Sequence, residues 1–275
     1  LKNVADDAIG HCHGMATSAL RFFTGHDQPS QFQDGAMTVF GINLAHSRRN
    51  ITWHHVLQYL PNMMPQEVNP VAALQQVYQA LQTGGGALVD LSVYDQAKTM
   101  GHTVLPYAIE DAGGGAWRIL VYDNATPGDS TRYILVDTLA GTFSSNLQGG
   151  PGSWTGAMGI APLDTYLQTP ACNWTGEAGA QEATGYVSVL SDGLTGLLLT
   201  DDQNRRIGYV GGQIVNEIPG AVVQPLTGGG DVAHEPVYHL PAASSYSVEL
   251  PVASGASSPP GSVSLYGAGY MLGVD

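Results

Sequence analysis

The chain contains two cysteines, and one of them, Cys12, occupies an informative position. It stands between His11 and His13, immediately before apolar residues with helical spacing. Backbone amides and the dipole at a helix N-terminus stabilise an anion, so a cysteine placed there is favoured as a reactive thiolate. The position indicates a nucleophile. The alternative is a buried, unreactive thiol, because cysteine is among the residue types most often buried.

A nucleophilic thiolate needs a base and a group that orients the base. His102 lies in a segment with strand-like alternation, and Asp123 closes another such segment. Alternation places Asp123 on the same strand face as Val121 and puts the adjacent Asn124 on the opposite face. The pattern therefore predicts a Cys, His and Asp set with Asp123 as the orienting residue, and leaves Asn124 as the alternative.

The spacing of apolar residues and the capping residues predict three helices before these strand segments. The first follows Gly14 and stops at Gly25, and the second covers residues 52–60 before Pro61. The third begins at Asn69-Pro70, an N-cap followed by a first-turn proline, and stops at residues 84–86, which are all glycine. These helices lie upstream of every strand segment predicted in the first half of the chain.

From residue 87 the apolar period changes to two, which is typical of strands. The predicted strands are residues 87–94, 102–109, 117–123 and 133–137. Helices followed by an antiparallel sheet indicate an α+β domain. We therefore predict that residues 1–175 form one α+β domain that carries the Cys, His and Asp set.

The second half of the chain contains short apolar runs separated by turns. Residues 176–182 have the composition of a linker, and the runs are residues 186–190, 197–200, 206–210, 238–240, 246–250 and 263–266. Many short strands without a helix favour a small β-sandwich over residues 183–275. Its hairpin tip carries Asp201, Asp202 and Asn204, which fit a solvated turn better than a calcium site.

Composition excludes several classes of protein. The net charge is −14, with nine Lys and Arg against 23 Asp and Glu, so no basic surface for nucleic acid is expected. No apolar run approaches the roughly 18 residues of a membrane helix. The Gly and Pro content and the few basic residues are typical of secreted or cell-surface bacterial proteins. We therefore expect an extracellular or cell-surface location, with any export signal removed or never present.

Three segments together resemble the papain-like cysteine peptidase superfamily, especially its divergent bacterial members. They are Gly-His-Cys-His-Gly-Met-Ala at 10–16, Gly-His-Thr-Val-Leu-Pro-Tyr-Ala at 101–108 and Ile-Leu-Val-Tyr-Asp-Asn at 119–124. The resemblance covers roughly residues 1–172. It implies a papain-like fold, a peptide or protein substrate and no cofactor. It also implies Cys12 as nucleophile, His102 as general acid and base, and Asp123 as the residue that orients His102.

The chain departs from the family upstream of the cysteine. Papain-like enzymes usually carry a glutamine there that donates to the oxyanion, whereas Asp6 occupies that position in this chain. An ionised carboxylate would repel the developing oxyanion. Either Asn3 or a backbone amide donates instead, or activity is compromised.

Two alternatives to a peptidase remain open, whereas a metal site is not expected. A transglutaminase-like acyltransferase uses the same triad order, and an inactive papain-like scaffold would serve in binding or adhesion. A metal site at His11, His13, His54 and His55 lacks the usual ligand spacing, so no metal is expected.

Two further expectations concern features outside the triad. Cys172 is expected to be a free or buried thiol near the domain junction. The alternative is a disulfide with Cys12, which an oxidising compartment allows and which would remove the nucleophile. The C-terminal segments resemble an accessory β-module of large bacterial surface proteins, which implies a role in cell-surface or matrix attachment.

Overall fold

The computed structural model describes residues 11–58, 63–98, 100–148, 154–167, 185–192, 196–226, 235–242, 244–249, 262–267 and 270–274. The chain forms two compact units, one with the described residues up to 167 and the other with those from 185 onward. The architecture is mixed helix and antiparallel sheet, as the α+β prediction stated in general terms. Within the described residues, no helix is long and apolar enough to cross a membrane.

The first unit contains four α-helices in its described part. They are α1 (Cys12–Phe23), α2 (Leu44–Leu57), α3 (Pro70–Thr83) and α4 (Leu163–Leu167). α1 begins at Cys12 itself, with His11 as its N-cap. α3 follows its prediction closely: the Asn69 side chain accepts a hydrogen bond from the Ala72 amide, and the helix ends at Gly84, whose φ is 68°.

α2 begins eight residues earlier than the predicted start at residue 52 and ends at Leu57. Asn43 marks its start, because its side-chain oxygen accepts from the Ala45 amide at 3.0 Å. The first half of the helix is polar, so its periodicity gives no apolar stripe and only the second half was predicted. The expected stop at Pro61 lies outside the described residues.

A seven-stranded antiparallel sheet forms the centre of the first unit, in the order β1-β7-β2-β3-β4-β5-β6. The strands are β1 (Gln66–Val68), β2 (Val89–Tyr94), β3 (Gly101–Gly113), β4 (Ala116–Tyr122), β5 (Tyr133–Asp137), β6 (Thr142–Ser145) and β7 (Ala157–Pro162). β2 to β5 were predicted, whereas β1, β6 and β7 were not. The order places β3, which carries His102, in the middle of the sheet.

Helices cover this sheet through two apolar clusters. α3 contributes Ala73 and Val77 to a large core that includes Val104 of β3. α1 contributes Leu20 to a smaller core that includes Leu105 of the same strand. Because successive strand residues point to opposite faces, β3 is packed on both sides.

The second unit contains two antiparallel sheets, ordered β11-β10-β9-β14 and β12-β13-β8-β15-β16. The strands are β8 (Tyr186–Asp192), β9 (Leu198–Asp201), β10 (Arg206–Val210), β11 (Gln213–Asn216), β12 (Val222–Gln224), β13 (Val237–Pro241), β14 (Tyr246–Glu249), β15 (Ser262–Gly267) and β16 (Tyr270–Val274). Buried side chains of both sheets, such as Leu199 and Tyr238, share one apolar cluster. β11, β12 and β16 were not predicted.

Gly14 sets the distance between α1 and α2. A Cβ atom at this position would lie 2.0 Å from the Ile51 carbonyl oxygen and 2.9 Å from the His55 Cβ atom. Backbone atoms cannot move aside as a flexible side chain would, so any larger residue must push the two helices apart.

We therefore expect Gly14→Ala to lower the free energy of unfolding of the first unit by about 1–3 kcal/mol, the usual cost of overpacking. Gly41→Ala is the matched control, because a Cβ atom there meets its nearest neighbours at an ordinary 3.8 Å. Denaturant unfolding of both variants is the measurement. Equal stabilities would contradict the close approach of the two helices.

Candidate active site

Cys12 occupies the first helical position of α1 and lies beside the start of β3. Its Sγ atom is 4.0 Å from the carbonyl oxygen of Gly101, the residue before His102, and the Cys12 side chain is near enough to His102 to raise the pKa of the imidazole. Cys12 forms no disulfide bond with a described residue, and Cys172 lies outside the described residues. The helix that the sequence predicted behind the cysteine thus brings it to the predicted histidine.

His102 and Asp123 meet at the ends of neighbouring strands. The Nε2 atom of His102 is 2.8 Å from Oδ1 of Asp123, in the residue that directly follows β4. Asp123 also accepts a hydrogen bond from the Ala125 amide at 2.9 Å. Because Nε2 faces Asp123, Nδ1 is the ring nitrogen that is available to Cys12.

These contacts control the protonation of His102. Burial lowers the pKa of the imidazole, but the hydrogen bonds and charges of Asp123 and Cys12 outweigh burial and raise that pKa to about 10. Burial raises the pKa of Asp123, yet the bond and charge of His102 reverse this and hold that pKa below its usual value. At neutral pH the arrangement therefore favours an imidazolium beside an ionised carboxylate.

Trp154 covers His102 and was not predicted as a site residue. Its ring stacks on the imidazole with centroids 5.9 Å apart and an interplanar angle of 27°. The indole Nε1 donates to the Gln148 carbonyl oxygen at 2.8 Å. An aromatic ring at this place keeps water from the bond between His102 and Asp123, which strengthens that bond. A tryptophan after a glycine-rich segment was the only signal in the sequence.

Asn124, the alternative orienting residue, does not face His102. Its side-chain nitrogen donates to the carbonyl oxygens of Cys12 at 3.1 Å and of Thr103 at 2.8 Å. The adjacent residues Asp123 and Asn124 thus use opposite faces of the strand end, as alternation predicts.

A second polar group is buried beneath α1, where the sequence predicted nothing. The Thr17 hydroxyl donates to Oδ2 of Asp90 at 3.3 Å, and Nδ1 of His13 lies 3.7 Å from the same oxygen. The Tyr166 ring packs edge-on against His13 with centroids 5.2 Å apart. Through Asp90, these contacts attach one face of α1 to β2.

Burial keeps this second group neutral. It raises the pKa of Asp90 to about 8, with the Thr17 bond opposing the shift. Burial, followed by the nearby His54, lowers the pKa of His13 to about 3. The contact between His13 and Asp90 is therefore one between neutral groups at neutral pH, and His13 supplies no positive charge to the neighbouring Cys12.

The remaining histidines and acids weighed as metal ligands do not assemble a site. The rings of His11 and His55 contact each other with centroids 4.8 Å apart, and burial lowers the pKa of His54 to about 4. Asp201 accepts from the Arg205 guanidinium at 2.8 Å, as in a closed hairpin turn. In the part of the chain that the structure describes, no group of three or more His, Cys, Asp or Glu residues could hold a metal ion. Asn3 and Asp6 lie outside that part.

A serine, a histidine and a glutamine also form a chain in the second unit, which the sequence did not indicate. The Ser188 Oγ atom is 2.8 Å from Nδ1 of His239, whose Nε2 atom is 2.6 Å from the Gln224 side-chain oxygen. Burial lowers the pKa of His239 to about 4, so this imidazole is a weak base near neutral pH. We interpret the chain as a structural link between β8, β13 and β12.

An open cavity of about 660 Å³ lies in the first unit between the start of α3 and parts of β6 and β7. Phe143 and Met158 contribute to its lining, and Glu67 and Thr155 contribute polar atoms. None of Cys12, His102 and Asp123 lines it. The cavity is therefore separate from these three side chains.

Comparison with protein-family models, with curated proteins and with solved structures finds no match to this chain.

Asp123 provides the first test of this geometry. In Asp123→Asn the amide oxygen still accepts from Nε2 of His102, but the negative charge is lost, so the pKa of His102 should fall by one unit or more from about 10. Titration of the imidazole resonances by NMR measures the shift directly. Asp34→Asn removes an exposed carboxylate and should leave the titration unchanged. An unshifted His102 in Asp123→Asn would contradict the pairing.

Asp90 provides a second test, through stability. The folded state holds the Asp90 proton up to about pH 8, whereas the unfolded chain releases it near 3.8. Stability from this group is therefore present at low pH and declines as pH rises from 4 to 8, by up to about 1.4 kcal/mol per pH unit.

Asp90→Asn should remove that slope, so the variant gains stability relative to the wild type as pH rises. Denaturant unfolding of both proteins between pH 4 and 8 gives a difference curve in which the histidine contributions cancel. A difference that does not change with pH would show that Asp90 is not held neutral.

Proposed function

We propose that the first unit is a papain-like cysteine peptidase that cleaves peptide bonds through a thioester on Cys12. One observation carries the proposal: Cys12 lies at the start of β3, with Sγ 4.0 Å from the carbonyl oxygen of the residue before His102, and Nε2 of His102 is 2.8 Å from Asp123. A nucleophile, a base within hydrogen-bond reach and a third group that orients the base are the requirements for covalent catalysis.

The proposed reaction proceeds in two steps. The Cys12 thiolate attacks the carbonyl carbon of the scissile peptide bond, and the carbon–nitrogen bond of the resulting tetrahedral intermediate breaks as the His102 imidazolium gives its proton to the leaving amine. Water then attacks the thioester while His102 accepts a proton from it. The products are an amine and a carboxylic acid, and both Cys12 and His102 return to their starting states.

The position of Cys12 at the start of α1 supports the first step. The amides of the first helical turn have no acceptor within the helix, so they favour a negative charge near the helix N-terminus. The same amides offer hydrogen-bond donors to the oxyanion that forms on the substrate carbonyl. Such a backbone donor would replace the side-chain donor that the sequence lacks at position 6.

The second unit and the location are part of the same proposal. We propose that the protein acts outside the cell or at its surface, and that the β-rich second unit contributes attachment rather than chemistry. The strongly acidic composition supports a protein that does not act on nucleic acid.

One observation favours a second candidate, an inactive papain-like scaffold that binds a partner. Cys12 is only 2 % exposed, and His102 is 3 % exposed. A substrate carbonyl reaches Sγ only if the surroundings of the thiol open. Accessibility and activation of Cys12 therefore distinguish the two candidates.

The deciding experiment is alkylation of Cys12 by iodoacetamide in a Cys172→Ser background. If Cys12 pairs with His102, alkylation at pH 6 should be at least about 10-fold faster than that of free cysteine, because an ordinary thiol is almost entirely protonated there. His102→Ala should abolish this excess. His26→Ala, which removes an exposed histidine, should not change it.

Hydrolysis is tested next with a mixture of internally quenched fluorogenic peptides. The proposal expects cleavage that is lost in Cys12→Ser and in His102→Ala, with about a 10²-fold or greater fall in rate. Negligible labelling of Cys12, or labelling that is indifferent to His102, would overturn the peptidase proposal and support the scaffold.

A further inference from the structure

Asn124 links the two elements that carry the nucleophile and the base. It is 8 % exposed, and its side-chain amide nitrogen lies within hydrogen-bond distance of two backbone oxygens on different elements. One is the carbonyl oxygen of Cys12, at 3.1 Å, and the other is that of Thr103, at 2.8 Å. Thr103 directly follows His102 in β3. A single side chain thus connects the backbone of Cys12 to the residue beside His102.

The chemistry of both partners requires a donor at this position. Each partner is a carbonyl oxygen, which can only accept, and a side-chain amide nitrogen has two hydrogens to give. A carboxylate would place a third oxygen against the two carbonyls and would donate nothing. Burial increases the cost of such an arrangement, because no water replaces the lost bonds.

The ladder between β3 and β4 shows why this link is needed. The pairing of the two strands begins at Leu105 and Tyr122 and continues to Gly113 and Ala116. Thr103 therefore has no paired residue in β4. Asn124 extends the connection past the end of β4 with a side chain. Through the Cys12 carbonyl, it also fixes the first residue of α1 against the sheet.

We propose that Asn124 is a positioning residue that holds the Cys12 backbone in register with His102, so that the thiol and the imidazole stay within hydrogen-bond distance. The inference rests on the proposed function and deepens it. Asp123 orients the imidazole ring through its side chain, whereas Asn124 sets the separation of the two backbones. Asn124 itself does not contact the reacting atoms.

Asn124→Asp turns the link into one that depends on pH. As a carboxylate it has no donor and repels both carbonyl oxygens, whereas in its protonated form it donates one hydrogen bond. Burial against two carbonyl oxygens favours the protonated form, so the link should recover partly in mild acid. If Asn124 had only a structural role, Asn124→Asp would lower stability, but the reactivity of Cys12 would not recover in mild acid.

The measurement is the rate of Cys12 alkylation by iodoacetamide at pH 7.5 and pH 5.0, in the full chain with Cys172→Ser. We expect Asn124→Asp to react at least 10-fold more slowly than the parent at pH 7.5 and within about 3-fold of it at pH 5.0. Asn124→Ala lacks a donor at either pH and should be slow at both. Circular dichroism at both pH values establishes that each variant is folded.

Asn146→Asp is the matched control. The side chain of Asn146 donates to the Thr131 carbonyl oxygen at 2.9 Å in another part of the first unit, so the variant makes the same chemical change away from Cys12. Its alkylation rates should equal those of the parent. If Asn124→Asp is unfolded at both pH values, Asn124→Ser, which keeps one donor, is compared with Asn124→Ala, and the serine variant should react several-fold faster.

The outcomes separate the two proposals. A parent protein whose Cys12 reacts like free cysteine, or not at all, overturns the peptidase proposal, and the role of Asn124 falls with it. If Cys12 of the parent is activated and Asn124→Asp is alkylated at the parent's rate at both pH values, the positioning role alone is overturned. The positioning role is also overturned if Asn124→Asp reacts equally slowly at pH 7.5 and at pH 5.0. Where Asn124→Asp does not fold, equal rates for Asn124→Ser and Asn124→Ala overturn it.

Discussion

The arrangement of the first unit depends on how closely α1 approaches the sheet and α2. Gly14 allows this approach, because a side chain there would overlap the backbone of α2. The same helix buries Leu20 against β3 and Thr17 against Asp90 of β2. With its apolar and polar contacts both satisfied, α1 has little freedom to slide or rotate. Its first residue, Cys12, is consequently held at the beginning of β3.

Two buried carboxyl groups in this unit show how partners decide charge. Asp90 and Asp123 are each about 1 % exposed, so burial penalises ionisation of both. The penalty prevails at Asp90, whose hydroxyl and neutral imidazole neighbours provide little compensation, and the group stays protonated to about pH 8. At Asp123 a protonated imidazole at 2.8 Å outweighs the penalty and keeps the carboxylate ionised. Of these two carboxyl groups, the one that contacts His102 is therefore ionised, and the one beneath α1 is neutral.

Local signals made part of this structure predictable. Asn69 and Pro70 fixed the start of α3, and β5 matches its predicted limits because Tyr, Ile and Val are enriched in strands. β7 was missed because three of the five residues 157–161 are Ala or Gly, which are depleted in strands. α2 was placed only in part, since its polar first half has no stripe that faces a core.

For the candidate site, the sequence order and alternation were enough to bring Cys12, His102 and Asp123 together, but not to find what surrounds them. Trp154 meets His102 across 52 residues of chain, a separation at which no periodic pattern exists. Asp90 alternates with Val89 and Leu91, so the pattern assigns it to a solvent-facing side of β2. Only the tertiary packing of α1 onto that side makes it buried.

The end of β4 also explains why two adjacent polar residues can serve one site without competing. Alternation directs Asp123 and Asn124 to opposite faces, so each meets a different kind of partner: a ring nitrogen that needs an acceptor, and backbone oxygens that need a donor. Exchanging the two residues would place a carboxylate against the two backbone oxygens, which need a donor, and would leave the ring nitrogen with an acceptor that carries no negative charge. The order of this pair, rather than the presence of either residue, therefore determines whether the strand end can meet both the His102 ring and the backbone oxygens of Cys12 and Thr103.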